Sequence, residues 1–73
     1  MEKYYFISYK YIDTIHTIVG DCALKFNGEI KLGEAKERIA LSRTSTHTEY
    51  VVILNFIEIS YNIYEEAINN DKF

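Results

Sequence analysis

The chain is short, moderately apolar and slightly acidic, and these properties narrow the classes of protein to which it can belong. Its 73 residues are enough for one hydrophobic core, so we expect a single domain over residues 1–73. Hydrophobic residues make up 48% of the chain and charged residues 26%, which places it far from the disordered class. The formal net charge of −3 argues against a domain that binds nucleic acid by neutralising phosphates.

The sequence also predicts a location in the cell. Cys22 is the one cysteine, so an internal disulfide cannot form and a reducing compartment, the cytoplasm, is expected. The N-terminus has no basic segment followed by a small-residue cleavage site, so we predict no signal peptide. The segment nearest to a membrane span, residues 50–57, includes Asn55 and is far shorter than the roughly 20 apolar residues that a span needs.

Two strands are predicted in the N-terminal part of the chain. Residues 4–11 and 16–26 alternate in polarity and are rich in β-branched or aromatic side chains, which favour strands. No Asn-Gly or Asp-Gly pair joins them, so the hairpin loop should exceed two residues. Gly20 is expected to mark a bulge or the close approach of another backbone. One side of each strand carries a matched set: Tyr5, Ile7, Tyr9 and Tyr11 in the first, and Ile18, Cys22, Leu24 and Phe26 in the second.

A helix follows the turn signal Asn27-Gly28. Good helix formers predict it over residues 33–42, and a polar loop over residues 43–48 comes after it. We expect the helix to lie on the sheet through a narrow apolar stripe. That stripe consists of Ala35, Ile39 and either Ser42 or Leu41.

The C-terminal third completes the predicted fold. Residues 50–59 are apolar on both faces for several positions, so we expect an inner strand or one that is covered on both sides. Asn62 and Glu65 have the spacing of a capping box, which predicts a short C-terminal helix that frays over residues 69–73. The fold class is therefore α+β: a ββαβ(α) domain with a three-stranded, mainly antiparallel sheet and one helix packed on one face.

One helix cannot cover both faces of such a sheet, and this bears on function. Since a small domain rarely leaves a large apolar patch in water, the C-terminal segment, a second copy or a foreign protein should cover the second face, and we favour a homodimer. Tyrosine suits contact surfaces because it joins an apolar ring to a polar tip. The candidate interaction surface is Tyr4, Tyr5, Tyr9, Tyr11, Tyr61 and Tyr64.

The loop after the helix is the most suggestive polar segment. Its guanidinium, hydroxyl and imidazole groups could hold a phosphate-bearing small molecule, although such clusters usually cap their own backbone. The candidate ligand-binding residues are Arg43, Thr44, Ser45, Thr46 and His47. Basic Lys36, Arg38 and Arg43, with aromatic stacking, would serve a single-stranded nucleic acid, which is the weaker alternative.

Catalysis, metals and cofactors receive little support from the sequence. Cys22 lies among apolar neighbours, as a small core residue does, and the two histidines have no zinc-ligand spacing. Asp13, Asp21 and His16 could form an acid–base cluster, but no catalytic motif accompanies them. We therefore expect a non-enzymatic protein with no cofactor and no metal.

Three strand patterns resemble a known group of proteins. Residues 4–9 (YYFISY), Gly20-Asp21 and residues 51–56 (VVILNF) are similar to segments of small uncharacterised proteins of phages, prophages and Gram-positive or gut bacteria. The resemblance implies a small ββαβ protein carried by a mobile element, which would bind and block a host or defence protein. Our leading expectation is accordingly a dimeric interaction protein, ahead of a small-ligand or nucleotide binder and a single-strand binder.

Overall fold

The structure, a computed structural model, describes residues 1–43, 45 and 47–70. It contains strands β1 (Glu2–Ile12), β2 (Thr17–Asn27) and β3 (Val51–Ile59) and helices α1 (Leu32–Ser42) and α2 (Tyr61–Asn70), with one turn of 3-10 helix (Thr48–Tyr50) before β3. The predicted α+β class and the ββαβ(α) order of elements are confirmed.

The three strands form an antiparallel sheet in the order β2-β1-β3, so the N-terminal strand lies in the centre. Both alternatives predicted for the third strand are therefore wrong: β3 lies at an edge, and most of its residues are exposed, so it is not covered on both sides. The error has a physical reason. Apolar residues on both faces of a strand show that both faces favour burial, but they do not show how many neighbouring strands it has.

A four-residue connection, 13–16, joins β1 to β2 and confirms the predicted longer loop. The carboxylate of Asp13 accepts hydrogen bonds from the backbone N–H groups of Ile15 and His16, and the Asp13 N–H donates to the His16 carbonyl oxygen at 3.0 Å. These backbone bonds hold the pKa of Asp13 below its usual value. The Asp13 side chain thus stabilises this four-residue turn, which does not need the Asn-Gly pair that is typical of a two-residue hairpin loop.

The core lies between α1 and one face of the sheet, which we call the α1 face. The predicted alternation is confirmed on both strands: the odd-numbered β1 residues from Tyr5 to Tyr11 are buried, and even-numbered β2 residues pack with them. From α1, the buried residues are Ala35, Ile39 and Ala40. Both predicted third members of the stripe, Leu41 and Ser42, are exposed, and Ala40 takes that place. The core side chains are Tyr5, Ile7, Tyr9, Tyr11, Phe26, Ala35, Ile39, Ala40 and Val51.

Gly20 leaves room for a side chain of the neighbouring strand. It pairs with Tyr9, and a Cβ at Gly20 would lie 2.9 Å from the Tyr9 hydroxyl oxygen. That hydroxyl accepts a hydrogen bond from Arg43 Nη2 at 3.0 Å. Pairing of β1 with β2 is continuous here, so the close approach involves a side chain and not the bulge or the backbone that the sequence suggested.

Helix α2 begins earlier than its predicted capping box. The Ser60 hydroxyl accepts a hydrogen bond from the Ile63 N–H at 3.3 Å, and the Ser60 carbonyl accepts one from the Tyr64 N–H. Ser60 is thus the N-cap, and Asn62, the predicted cap, lies in the first turn. Serine and asparagine are comparable caps, and the end of β3 at Ile59 decides between them. The sequence predicts fraying over residues 69–73, but residues 69 and 70 still belong to α2; residues 71–73 lie outside the described residues.

Within the part of the chain that the structure describes, neither helix has the length and apolar character needed to cross a lipid bilayer.

Candidate contact surface

Helix α2 covers part of the sheet's second face, opposite α1. It packs against β1 and β2 through its tyrosines. The ring of Tyr4 lies 4.8 Å from that of Tyr64 and 5.4 Å from that of Tyr61, centroid to centroid, in tilted and edge-on arrangements. Such contacts stabilise aromatic pairs beyond simple burial. The second face therefore has a small aromatic cluster at one end, beneath α2.

The remainder of the second face mixes polar residues with three apolar side chains that are open to solvent. Strand pairing places Val19 and Val52 on either side of Lys10, and Ile57 beside Phe6. Their exposed fractions are 67% for Val19, 43% for Val52 and 54% for Ile57. We call these three residues the open face. Val19 and Val52 share the ladder row of Lys10, and Ile57 lies in the row of Phe6, nearer to the start of β1. The polar row of Ser8, Asp21 and Asn55 lies between these two rows.

The outer edge of β3 adjoins the open face. In the ladder, Ser8 pairs with Asn55 and Tyr9 with Ile53, so Leu54 is an extra residue, a β-bulge. Leu54 is exposed, as is Phe56, whose ring meets that of Tyr5 edge-on at 6.2 Å. Among the described strands β3 pairs with β1 alone, which leaves its other backbone edge unpaired.

The six candidate tyrosines divide between the two faces. Tyr5, Tyr9 and Tyr11 are buried under α1 and cannot meet a partner while α1 is in place. Tyr4, Tyr61 and Tyr64 form the cluster on the second face, where Tyr61 is the most exposed. The tyrosine contact surface stays a prediction, and only the second-face cluster is accessible for it.

The ionisation of that cluster reflects its surroundings. Burial raises the pKa of the Tyr4 hydroxyl. A hydrogen bond to the Glu65 carboxylate raises the pKa of Tyr61. Both phenols therefore stay neutral through the physiological range, and the cluster offers hydrogen-bonding hydroxyls without adding charge.

The described residues of the polar loop make contacts within the chain. Arg43 donates to Tyr9 and lies over its ring at 5.8 Å from the centroid. The Ser45 hydroxyl accepts from the His47 N–H at 3.1 Å, as the capping alternative expected. The His47 Nδ1 lies 3.0 Å from Glu49 Oε1, and an anion would meet that carboxylate. Thr44 and Thr46 lie outside the described residues, and ligand binding by this loop stays a prediction.

Two of the three basic residues proposed for a nucleic acid, Arg38 and Arg43, have partners within the chain. Arg38 pairs with Glu34 and donates to the Lys25 carbonyl oxygen, and its guanidinium lies 4.7 Å from the centroid of the Phe26 ring. This side chain fastens α1 to the end of β2. A phosphate would compete with an ion pair and a cation–π contact that are already made.

The acid–base cluster considered from the sequence is not assembled. His16 lies 3.8 Å from Asp13 in the hairpin loop, but Asp21 pairs with Ser8 further along β2. Across residues 1–43, 45 and 47–70, no group of three or more His, Cys, Asp or Glu side chains is placed to hold a metal ion.

One charged group lies at the far end of the α1 face. Lys3 Nζ contacts Glu29 Oε1 at 2.7 Å and Glu58 Oε1 at 3.9 Å. The hydrogen bond lowers the pKa of Glu29 and raises that of Lys3. The Tyr5 hydroxyl donates to Glu29 and accepts from the Ile30 N–H. These contacts lie at the open end of the β1–β2 hairpin, where they close the end of the core. The charges therefore have a structural role.

The contact residues predicted from the sequence include none of the open-face residues. Val19 belongs to the predicted second strand, and Val52 and Ile57 both belong to the third strand, which the sequence predicts to be inner or covered on both sides. The signal was available in β3, whose nine residues include one charge, Glu58. An edge strand of this composition is expected to have a partner.

Comparison with models of known protein families, with curated proteins and with solved structures finds no match to this chain. The resemblance to phage and prophage proteins stays a prediction.

Proposed function

We propose that this chain is a non-enzymatic interaction protein that binds another polypeptide through the open face and the adjoining edge of β3. The supporting observation is that Val19, Val52 and Ile57 are exposed on the second face and that Leu54 is exposed at the adjoining edge. Burial of apolar surface is the main driving force of protein association, and exposed apolar strands mark contact sites.

The choice of a polypeptide as the ligand follows from the shape of this surface. It combines apolar side chains with an unpaired strand edge, and a peptide backbone satisfies both at once through strand addition. A small molecule would leave the backbone donors and acceptors of the edge unpaired. The tyrosine cluster beside it supplies polar tips at the rim.

The setting and consequence of binding complete the proposal. The single cysteine, with no possible internal disulfide, supports action in the cytoplasm. That the bound protein is a host or defence factor, and that binding inhibits it, follows from the resemblance to phage and prophage proteins alone. Self-association, as a homodimer, is one form that the polypeptide partner can take.

The test compares two apolar-to-charged variants. Ile57→Lys places a charge on the open face, and Leu41→Lys makes the same kind of change on α1, where Leu41 is 65% exposed. Each tagged variant and the parent chain are used to capture partners from the cells of origin, and their masses are measured by light scattering across a concentration series. We expect Ile57→Lys to weaken binding at least tenfold and Leu41→Lys to leave it unchanged.

Binding in this test means either a mass above the 8.6 kDa of one chain or a captured protein that binds again as a purified component. If the parent chain is monomeric at all concentrations and the Ile57→Lys variant captures the same proteins equally well, the proposal is wrong. Circular dichroism confirms beforehand that both variants fold.

A further inference from the structure

The two edges of the sheet differ in their protection against pairing. The outer strand β2 carries Asp21 and Lys25, both exposed, and the small Gly20. Charged side chains on an edge discourage addition of a further strand. Strand β3 has no lysine, arginine or proline, and Glu58 near its end is its one charge. The β3 edge is therefore the one suited to a partner strand.

The bulge at Leu54 decides which partner strand fits. Before the bulge, Val51 and Ile53 point to the α1 face and Val52 to the second face, following their pairing with β1. After it the alternation shifts by one, so that Phe56 points to the α1 face and Ile57 to the second face. Each residue of an antiparallel partner strand must point to the same face of the sheet as the β3 residue that lies opposite it.

We propose that the occupant is a second copy of this chain, whose β3 pairs antiparallel with the first about a two-fold axis between Leu54 and Asn55; this inference rests on the proposed function. In this register Val52 opposes Ile57 of the second copy on the second face. Ile53 opposes Phe56 of the second copy on the α1 face. In both halves of the strand, opposed residues point to the same face of the sheet because the bulge lies at the two-fold axis.

Other antiparallel registers of β3 with itself are less favourable. A register centred on Asn55 sets Ile53 against Ile57, which point to opposite faces. A register centred on Ile57 keeps the facing but pairs only the end of the strand after the bulge. In the proposed register Glu58 opposes Val51 of the second copy, so the two carboxylates do not face each other.

The pairing would also cover two of the three open-face residues. Val52 and Ile57 of each copy meet their counterparts across the axis, whereas Val19 lies on β2, at the opposite edge of the sheet, and stays exposed. The two sheets become one continuous sheet with α1 of both copies on the same side, which is the isologous contact of a two-fold dimer. Backbone hydrogen bonds along the edge fix the register, and the apolar pairs supply the affinity.

Disulfide trapping tests the register directly. In a Cys22→Ala background, Val52→Cys with Ile57→Cys puts thiols on directly opposed residues, whose Cα atoms lie about 4.5–5.5 Å apart across an antiparallel pair. The matched control, Val52→Cys with Ile59→Cys, also places both thiols on the second face but sets them on a diagonal, where the separation of about 7–8 Å exceeds disulfide reach. Mild oxidation should link the first variant into dimers at least tenfold faster than the control.

The possible outcomes separate this inference from the proposed function. Equal or reversed cross-linking rates overturn the register. A parent chain that is monomeric by light scattering overturns the second copy as occupant, while Ile57-dependent capture of another protein would keep the proposed function. If the cysteine pair does not fold, Leu54→Lys decides: a dimer that persists in Leu54→Lys as strongly as in Leu41→Lys contradicts pairing at this edge.

Discussion

The two faces of the sheet are covered to very different degrees, although both helices are about the same length. Under α1, Tyr5, Ile7, Tyr9 and Tyr11 are almost wholly buried, yet α1 offers mainly Ala35, Ile39 and Ala40 in return. The large side chains belong to the sheet, and the small alanine side chains of the helix let it approach the sheet closely. On the second face α2 brings Tyr61 and Tyr64 against Tyr4 and leaves the open face exposed.

This contrast teaches that the number of large apolar residues does not determine how well a face is sealed. Complementary sizes do: large residues on one layer need small ones opposite, so that the layers interlock over the whole sheet. The α1 face has this pairing of sizes. The second face has aromatic rings on both layers, which meet at one end and hold α2 there.

The largest difference in stability between the two faces is expected when a cavity is opened under α1. Ile7 is fully buried at the centre of β1, and Ile7→Ala should lower the free energy of unfolding by about 2–5 kcal/mol. Chemical denaturation monitored by circular dichroism measures the loss. Val19→Ala, on the open face, is the control and should change stability by less than about 0.5 kcal/mol. Equal losses would mean that the two faces do not differ as described.

An intermediate effect is expected from overfilling the same face. Gly20→Ala places a methyl group against the Tyr9 hydroxyl, which is held by Arg43 and has little freedom to retreat. Overpacking of this kind should cost about 1–3 kcal/mol in the free energy of unfolding. Adding Tyr9→Phe removes the clashing oxygen, so the double variant should recover part of the stability. No recovery would show that the clash is not with this hydroxyl.

The smallest effect is expected on the second face. Tyr64→Ala removes a ring that contacts Tyr4, and we expect a loss of about 1–2 kcal/mol, with α2 detaching before the sheet unfolds. Hydrogen exchange measured residue by residue distinguishes this local loss from global unfolding. Tyr64→Phe keeps the ring contact and should retain nearly full protection of α2. If Tyr64→Ala deprotects β1 as much as α2, then α2 and the α1 face form one cooperative unit.

The sequence by itself determined the local structure of this protein. Alternating side chains in β1 and β2 gave the strands and their buried faces, because a pleated strand turns successive residues to opposite sides. Helix formers around Ala35 and Ile39 placed α1, and the absence of a two-residue turn signal gave the longer hairpin loop. Each of these features depends on residues that are close together in the chain.

Only the tertiary structure decided what depends on distant residues. It placed β1 in the centre and β3 at the edge, since strand order depends on which strands pair by hydrogen bonds and not on the polarity of one segment. It introduced the β-bulge at Leu54, which no residue type predicts. The bulge determines to which faces of the sheet Phe56 and Ile57 point. It buried three of the candidate tyrosines and left Val19, Val52 and Ile57 exposed, because burial depends on what packs above a residue.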